Sequence, residues 1–218
     1  MINHNIAQNT PEWLALRVGK FTASSAAELL MDKGCKGYIE LIKKITEERF
    51  TGEPCESKKF QGNSFTDRGH LFEPLALIDY STKYFYDVEP MGFVESDNGL
   101  YGCSPDGLIN ENGMIQVKCP IFATQRKYLK IVTEAKQLNL REIYSNDIVY
   151  KLDSSYYKQM QFELFVAERE YNIFYSFHPK LKEIHLKIER DEDMIKQIEL
   201  AIIEATEYID IELIKLGE

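Results

Sequence analysis

Two short predicted strands near the middle of the chain constrain its fold and chemistry more than any other stretch. They run from Ser104 to Ile109 and from Gly113 to Pro120. Side chains alternate along a strand, so Gln116 and Lys118 share one face of the second strand, and Asp106 at the start of the first would lie opposite them. A carboxylate, an amide and an ammonium group then meet at one place. This is the composition of a metal site, except that a two-carboxylate site would have an acid at position 116.

The length and composition predict one α/β domain over residues 1–218. The chain has no internal repeat, low-complexity tract or Gly/Ser linker, and 218 residues suit a single substantial domain. No apolar run reaches the roughly 18 residues that would span a bilayer, and the first residues lack the form of a signal peptide. The four cysteines include no Cys-x-x-Cys pair, which argues against zinc and iron–sulfur sites. We therefore expect a cytoplasmic protein with no membrane association.

Charge alone argues against a generally basic nucleic-acid-binding protein. The formal net charge is −9 at pH 7. Local basic patches can nevertheless contact phosphates while the rest of the surface is acidic. The polar segment with Lys58 and Lys59 is one plausible backbone contact, although a solvated loop explains any two lysines better. A predicted helix over 123–130, with Arg126 and Lys127, is the most basic local patch.

Periodicity and turn signals predict helices and strands in a mixed order, with a central mixed β-sheet flanked by helices. The predicted helices begin after Thr10 and near Ser24 and then cover 38–50, 64–84, 123–130, 155–168 and 191–216. The predicted strands are 91–95, 101–103, the two central strands, 171–177 and 184–188. The segment 133–151 is mixed and fits either helix or loop.

Two interpretations fit the start of the second helix. Thr22, Ser24 and Ser25 stand where its free backbone N–H groups emerge, and Arg17 lies shortly before them. Such a helix start can hold a phosphate with help from the arginine. Plain N-capping beside a surface arginine is the alternative, and spacing alone favours it.

The helix over 64–84 carries a glutamate that could point inward. Leu71, Leu75 and Ile78 form its predicted buried stripe. Glu73 has small or partly apolar neighbours three and four positions away, and buried glutamates are rare unless they are paired or bound to metal. Partial exposure of Glu73 is the alternative.

Metal-assisted hydrolysis of a phosphodiester needs carboxylates that hold one or two divalent ions, with a lysine near the attacking water. Asp106, position 116 and Lys118 have the strand spacing for this arrangement, and Glu73 could be supplied by a packed helix. Oxygen ligands imply Mg²⁺, with Mn²⁺ as a substitute.

These residues resemble the PD-(D/E)xK nuclease motif, and the whole chain is similar to the lambda-exonuclease type of phage recombination nuclease, in the viral-recombinase family. Most of the chain takes part in this resemblance. The matching segments, in order, are 16–24, 69–73, 104–108, 116–120, 157–161 and 188–192.

The resemblance implies roles at the central site. Asp106 would be the metal-bridging carboxylate, Glu73 a helix ligand and Lys118 the catalytic lysine. The backbone carbonyl of Val117 would face a metal. Gln159 matches a glutamine near the active centre, so it joins the catalytic set with Gln116.

Further roles are implied outside the strand pair. Arg17, Ser24 and Ser104 match positions that bind the 5′ phosphate of the digested strand. Asp97 matches a further acidic metal ligand if the alignment shifts by one residue. The Asp97-Asn98-Gly99 sequence is also a strong hairpin turn, which explains Asp97 by itself.

The resemblance implies a Mg²⁺-dependent 5′→3′ exonuclease that digests ends of double-stranded DNA and leaves 3′ single strands for an annealing protein. Family members form a homotrimer ring around DNA, so only the channel needs to be basic. A phage or prophage origin and a bacterial host cell follow from the same resemblance.

Gln116 stands where the family has a glutamate. An amide oxygen can ligate a cation, but the site loses a negative charge. A natural variant with retained activity, an engineered change that traps substrate or metal, and an inactive relative all fit. The alternative function is therefore a catalytically impaired protein that binds DNA ends during recombination. A related nuclease with an iron–sulfur cluster is excluded, because no cysteine follows Cys119.

Overall fold

The structure is a computed structural model that describes residues 1–55, 64–137 and 145–217. Its first half contains β1 (Ile2–His4), α1 (Pro11–Leu16), β2 (Phe21–Thr22), a 3₁₀ turn (Ala23–Ser25), α2 (Ala26–Leu29), α3 (Lys36–Thr51), α4 (Ser64–Tyr84), β3 (Val88–Glu89), β4 (Phe93–Glu95), β5 (Tyr101–Cys103) and β6 (Gly107–Ile109). Its second half contains β7 (Gly113–Lys118), α5 (Phe122–Gln137), α6 (Ser145–Leu152), α7 (Ser154–Ala167), β8 (Tyr171–His178), β9 (Leu181–Glu189) and α8 (Glu192–Gly217).

The strands of the described residues form two mixed sheets instead of one central sheet. The smaller sheet has the order β1-β4-β5-β2, and the larger has the order β3-β6-β7-β8-β9. Strand β7 is central in the larger sheet, since it pairs antiparallel with β6 and parallel with β8. The α/β class and the flanking helices are as predicted.

Both faces of β7 are covered, and the two faces meet different parts of the core. Met114 packs in the cluster formed by α2, α3, α7 and α8. Ile115 and Val117 point the other way and pack against Ala76 and Tyr80 of α4. This alternation directs the odd and even residues of β7 to opposite layers.

The predicted buried stripe of α4 is wrong. Leu71, Leu75 and Ile78 are 66%, 50% and 64% exposed, whereas Ala76 and Tyr80 are buried. Apolar residues occupy two sides of this helix, so its periodicity does not identify the side that meets the sheet. The small side chain of Ala76 permits close packing on β7, so the side of α4 that carries Ala76 and Tyr80 faces the sheet.

The N-terminal helix α1 begins where predicted and is mostly exposed. Thr10 caps α1 through a hydrogen bond from the Trp13 backbone N–H, and Pro11 is its first residue, as the sequence indicates. However, Leu14 is 53% exposed, and none of the six residues of α1 is fully buried. A six-residue helix is too short to form a continuous apolar face.

Most predicted elements have nearly the observed bounds, and α4 and β5 match residue for residue. The predicted helix 123–130 extends to Gln137, and α6 occupies the end of the ambiguous segment. Lys58 and Lys59 lie outside the described residues. None of the helices in the described ranges is both long and apolar enough to cross a membrane.

Candidate active site

Strand pairing brings Asp106 to the middle of β7. Gly107 of β6 pairs with Ile115 of β7 in an antiparallel register. Asp106, which precedes Gly107, therefore lies beside Gln116 and Val117. Oδ2 of Asp106 accepts hydrogen bonds from the backbone N–H of Val117 and from Nε2 of Gln116, both at 2.6 Å. The predicted meeting of Asp106 and Gln116 is therefore observed. The carbonyl of Val117 as a metal ligand stays a prediction.

Helix α7 adds Gln159 to this strand pair. Its Nε2 donates to Oε1 of Gln116 at 3.0 Å, and its Oε1 accepts from Nζ of Lys118 at 3.2 Å. The Lys118 ammonium also lies 4.6 Å from the ring centroid of Tyr156, within cation–π range. The lysine is thus held between the start of α7 and the end of β7. Four predicted site residues form one connected network.

A buried glutamate extends this network into the core. Glu163, one helical turn after Gln159, accepts from Gln159 Nε2 at 2.9 Å through Oε1. Its Oε2 accepts from Nδ2 of Asn172 in β8 at 2.8 Å. Glu163 and Asn172 are both 0% exposed. The spacing of Gln159 and Glu163 by four positions could have indicated this pair, because such residues are neighbours on a helix.

Glu73 acts on Asp106 through its charge. Burial raises the pKa of Asp106 well above its ordinary value, the Glu73 carboxylate raises it further, and Lys118 opposes this rise. Burial likewise raises the pKa of Glu73, against His70 and Lys118. Because the Glu73 carboxylate disfavours the ionised form of Asp106, a cation beside these two side chains would be stabilised. The Glu73 side chain is half-buried, which matches the alternative of partial exposure, although its charge still acts on Asp106.

Burial also raises the pKa of Glu163 to about 7, while Lys118 and the hydrogen bonds from Gln159 and Asn172 lower it. A carboxyl with this pKa changes its charge near neutral pH. The sequence interpretation did not single out Glu163.

Among the described residues of the site, Asp106 and Glu73 suit a divalent cation, but Gln116 does not in its observed orientation. Asp106 and Glu73 offer carboxylate oxygens, the hard ligands that Mg²⁺ prefers. Gln116 instead directs its amide nitrogen at Asp106. Within the described part of the chain, no group of three His, Cys, Asp or Glu side chains is arranged to hold a metal. A cation would therefore be held mainly by Asp106 and Glu73.

Asp97 lies elsewhere in the described structure. Its side chain is 82% exposed in the turn before β5 and pairs with the amino group of Met1. The Glu73, Lys118 and Glu163 charges act on Asp106, and the charge of Asp97 is not among them. The hairpin turn accounts for Asp97, and its role as a metal ligand has no support from the geometry.

The predicted phosphate-binding residues form a second cluster. Nη2 of Arg17 donates to Oγ of Ser24 at 3.0 Å and to Oγ1 of Thr22 at 3.4 Å. Ser25, not Ser24, caps the turn, through its hydroxyl bonds with the backbone of Thr22. The α2 helix has only four residues, so it is too short to bind a phosphate through its backbone N–H groups. Side chains would have to bind the phosphate instead. Capping and the arginine contact thus belong to different serines.

Arg17 lacks a carboxylate partner among the described ion pairs, and burial lowers the pKa of its guanidinium to about 10. The group is held by neutral hydroxyls and by the Trp13 ring, whose centroid lies 4.2 Å from Cζ. A half-buried cation whose direct contacts are neutral, with the more distant charge of Glu48 opposing the effect of burial, is stabilised by an anion that reaches it.

Trp13 links this cluster to the central site, and the sequence interpretation missed it. Its indole N–H donates to Oγ of Ser104 at 2.9 Å and to the carbonyl of Gly92 at 3.2 Å. Ser104 lies two residues before Asp106, so Arg17, Ser24 and Ser104 are joined through one ring. The spacing of Trp13 and Arg17 by four positions was the available signal.

Comparisons with known proteins agree with this architecture. The family model for a YqaJ-like viral recombinase domain matches residues 12–170. The structure of an alkaline exonuclease from Laribacter hongkongensis is 26% identical, with a TM-score of 0.76 over 95% of this chain and 96% of that chain. Its complex with dAMP gives 24% identity and a TM-score of 0.75 over the same shares.

A phage-related exonuclease from Haemophilus somnus 129PT shares the fold at 14% identity, with a TM-score of 0.68 over 91% of this chain and 96% of that chain. A comparison with curated protein sequences finds no match.

Proposed function

The chain belongs to the YqaJ-like viral recombinase family, which confirms the resemblance to phage recombination nucleases, and from this premise we propose that it is a DNA exonuclease. The proposed reaction removes nucleotides from the 5′-ended strand of linear double-stranded DNA and leaves a 3′ single strand for recombination by annealing. One observation carries the proposal: the buried carboxyl of Asp106 lies within the electrostatic influence of both the Glu73 carboxylate and the Lys118 ammonium. That combination suits hydrolysis of a phosphodiester.

The central residues have distinct proposed tasks. Asp106 and Glu73 would hold Mg²⁺, or Mn²⁺ in its place, and Lys118 would orient the attacking water and offset developing negative charge. Gln159 and Tyr156 hold the lysine ammonium in place for that task. When bound, a divalent cation supplies Lewis-acid activation of water and stabilises the departing oxygen.

The Arg17 cluster is the proposed site for the 5′ phosphate. The Arg17 guanidinium, the Ser24 hydroxyl and the Ser104 hydroxyl can all donate, and Trp13 contacts both Arg17 and Ser104. Ser104 is two residues from Asp106, so a bound end would lie beside the scissile bond. We therefore expect a preference for DNA ends.

The assembly and partners are proposals that rest on the family. We propose a homotrimer ring around DNA and a single-strand annealing protein as partner. Light scattering on the purified protein tests the trimer, and a monomer at micromolar concentration contradicts it. Co-purification with an annealing protein encoded beside it tests the partner.

Digestion of defined duplexes tests the reaction. With Mg²⁺, we expect degradation of linear DNA that carries a 5′ phosphate, slower degradation with a 5′ hydroxyl, and no action on closed circles. Lys118→Met, with its similar length and no charge, is the control and should be inactive. Equal cutting of closed circles would establish an endonuclease instead.

A DNA-end-binding protein with little turnover is the second candidate function. The observation that favours it is the amide nitrogen of Gln116 directed at Asp106. Gln116→Glu separates the two candidates. A gain in turnover of about tenfold or more would show intact chemistry awaiting a carboxylate. End binding without turnover in both forms would support the binding function.

A further inference from the structure

The side-chain amides of Gln116 and Gln159 form a hydrogen-bonded network that also contains Lys118 and Glu163. These two charged side chains cannot exchange donor and acceptor roles. Lys118 can only donate, and ionised Glu163 can only accept. Gln159 lies between them, with Oε1 toward Lys118 and Nε2 toward Glu163. Reversal of this amide would place its oxygen against a carboxylate and its nitrogen against an ammonium. The orientation of Gln159 therefore follows from donor and acceptor chemistry.

The orientation of Gln116 follows in turn. Nε2 of Gln159 donates to Oε1 of Gln116, which leaves Nε2 of Gln116 for Asp106. Reversal of Gln116 alone would bring two NH₂ groups together and, with Asp106 ionised, would set two oxygens against each other. The network thus has one satisfied arrangement when no cation is present.

Glu163 is the end of the network that cannot adapt. Lys118 has a flexible stem, and its ammonium also contacts the Tyr156 ring, so it does not depend on Gln159 alone. Glu163 is fully buried, and Asn172 on β8 holds its other oxygen. The direction of both glutamine amides is therefore imposed from the core side.

We propose that Glu163 is a positioning residue that keeps the amide nitrogen of Gln116 turned toward Asp106 and so weakens the hold of this site on a divalent cation. The inference rests on the proposed function, because it concerns the same metal site. A cation that approaches Oδ2 of Asp106 meets the N–H groups of Gln116 and Val117. To offer its oxygen, Gln116 must reverse, and Gln159 must reverse with it.

An amide at position 163 would accept either direction of Gln159, since an amide both donates and accepts. Glu163→Gln therefore removes the imposed direction while it preserves shape. A carboxylate at position 116 has no donor end, so direction is irrelevant in a Gln116→Glu background. There Glu163→Gln only removes a nearby negative charge.

Binding of Mn²⁺ alone, measured by electron paramagnetic resonance of the free ion, tests this inference. Four proteins are compared at pH 8, where Glu163 is ionised: the chain itself, Glu163→Gln, Gln116→Glu and the double variant. In the Gln116→Glu background we expect Glu163→Gln to raise the Kd, on the order of threefold to tenfold. In the native background it should lower the Kd or leave it unchanged.

The test compares the fold-change in the Mn²⁺ Kd caused by Glu163→Gln in the Gln116→Glu background with that in the native background. The ratio of these two fold-changes tests the inference. A ratio of about three or more supports the inference, and a smaller ratio overturns it, because a merely structural role would change both backgrounds alike. Gln159→Met provides the same comparison if Glu163→Gln does not fold, since it removes the link. Absence of Mn²⁺ binding in all proteins would overturn the proposed metal-dependent function as well. Binding in both backgrounds with a small ratio would overturn this inference alone.

Discussion

The side-chain nitrogen of Gln116 lies 2.6 Å from Oδ2 of Asp106, where a glutamate would place a second carboxylate oxygen. The site is therefore internally hydrogen-bonded without a cation. A glutamate at position 116 would instead need a proton or a metal ion between the two carboxylates. This single contact connects stability, metal binding and turnover.

Gln116→Glu should destabilise the protein in the absence of metal. Replacing a donor with an acceptor beside Asp106 is expected to lower the free energy of unfolding by about 1–3 kcal/mol. Mg²⁺ should restore about 2.7 kcal/mol when its concentration is 100 times its Kd. Urea unfolding in EDTA and in Mg²⁺ measures both effects.

Gln125→Glu is the matched control for that experiment. Gln125 is a buried amide that donates to the carbonyls of Ser176 and Lys182. Its replacement should also destabilise the protein, but Mg²⁺ should not restore stability. Equal restoration in both variants would contradict a local effect of the cation at Asp106.

Trp13→Phe should reduce the preference for a 5′ phosphate. The smaller ring can still lie under Arg17, but it cannot donate to Ser104 and Gly92. Loss of a hydrogen bond of about 1 kcal/mol corresponds to roughly fivefold. The measured quantity is the ratio of digestion rates for 5′-phosphate and 5′-hydroxyl duplexes. Leu14→Ala, an exposed change on the same helix, should leave the ratio unchanged, and an equal loss there would refute the role of Trp13.

Glu163→Gln should change how stability depends on pH. The pKa of Glu163 is raised from 4.5 to about 7 in the folded protein, so folding favours its proton. Its contribution to stability is complete below pH 4.5 and is lost as the pH rises to about 7. The loss amounts to about 3 kcal/mol for a shift of this size.

Metal-free unfolding at pH 5 and pH 8 tests that prediction. Asp106 and Glu73 also have raised pKa values, so the chain must be compared with the variant at each pH. Glu163→Gln should become more stable relative to the parent between pH 5 and pH 8. A constant difference would mean that Glu163 does not titrate in this range.

Gly102→Ala should destabilise the smaller sheet. A Cβ atom at Gly102 would lie 2.2 Å from Cζ of Phe93 and 2.7 Å from the carbonyl of Val94. Phe93 is fully buried, so its ring cannot move aside into solvent. We expect the free energy of unfolding to fall by about 1–3 kcal/mol. Urea unfolding measures it. Gly34→Ala is the control, because no atom lies within 4 Å of its added Cβ, and a loss of equal size there would contradict the steric explanation.

Local signals predicted those parts of the fold that local chemistry determines. Thr10 with Pro11 and Asp153 before α7 mark helix starts, and both caps form. The strand spacing of Asp106 and Gln116 predicted their meeting because a turn of fixed length joins the strands. By contrast, the buried side of α4 depends on the shape of the sheet beneath it, which periodicity does not contain.

The candidate site was predictable in its strand residues and less so in its supports. Glu163 and Trp13 each occur four positions from a predicted site residue, yet only folding shows that they point toward it. Asn172 lies on β8, far from the motif in sequence, and its contact with Glu163 requires α7 to pack against β8. Supports of this kind depend on tertiary structure.

The position of the Trp13 indole beside Arg17 determines where the tryptophan fluorescence of the protein originates. The chain contains one tryptophan, Trp13, and its ring stacks on the guanidinium and hydrogen-bonds to Ser104. All tryptophan fluorescence of the protein therefore originates at the proposed DNA-end pocket. The wavelength and intensity of that emission would report occupancy of the pocket directly, without any attached dye.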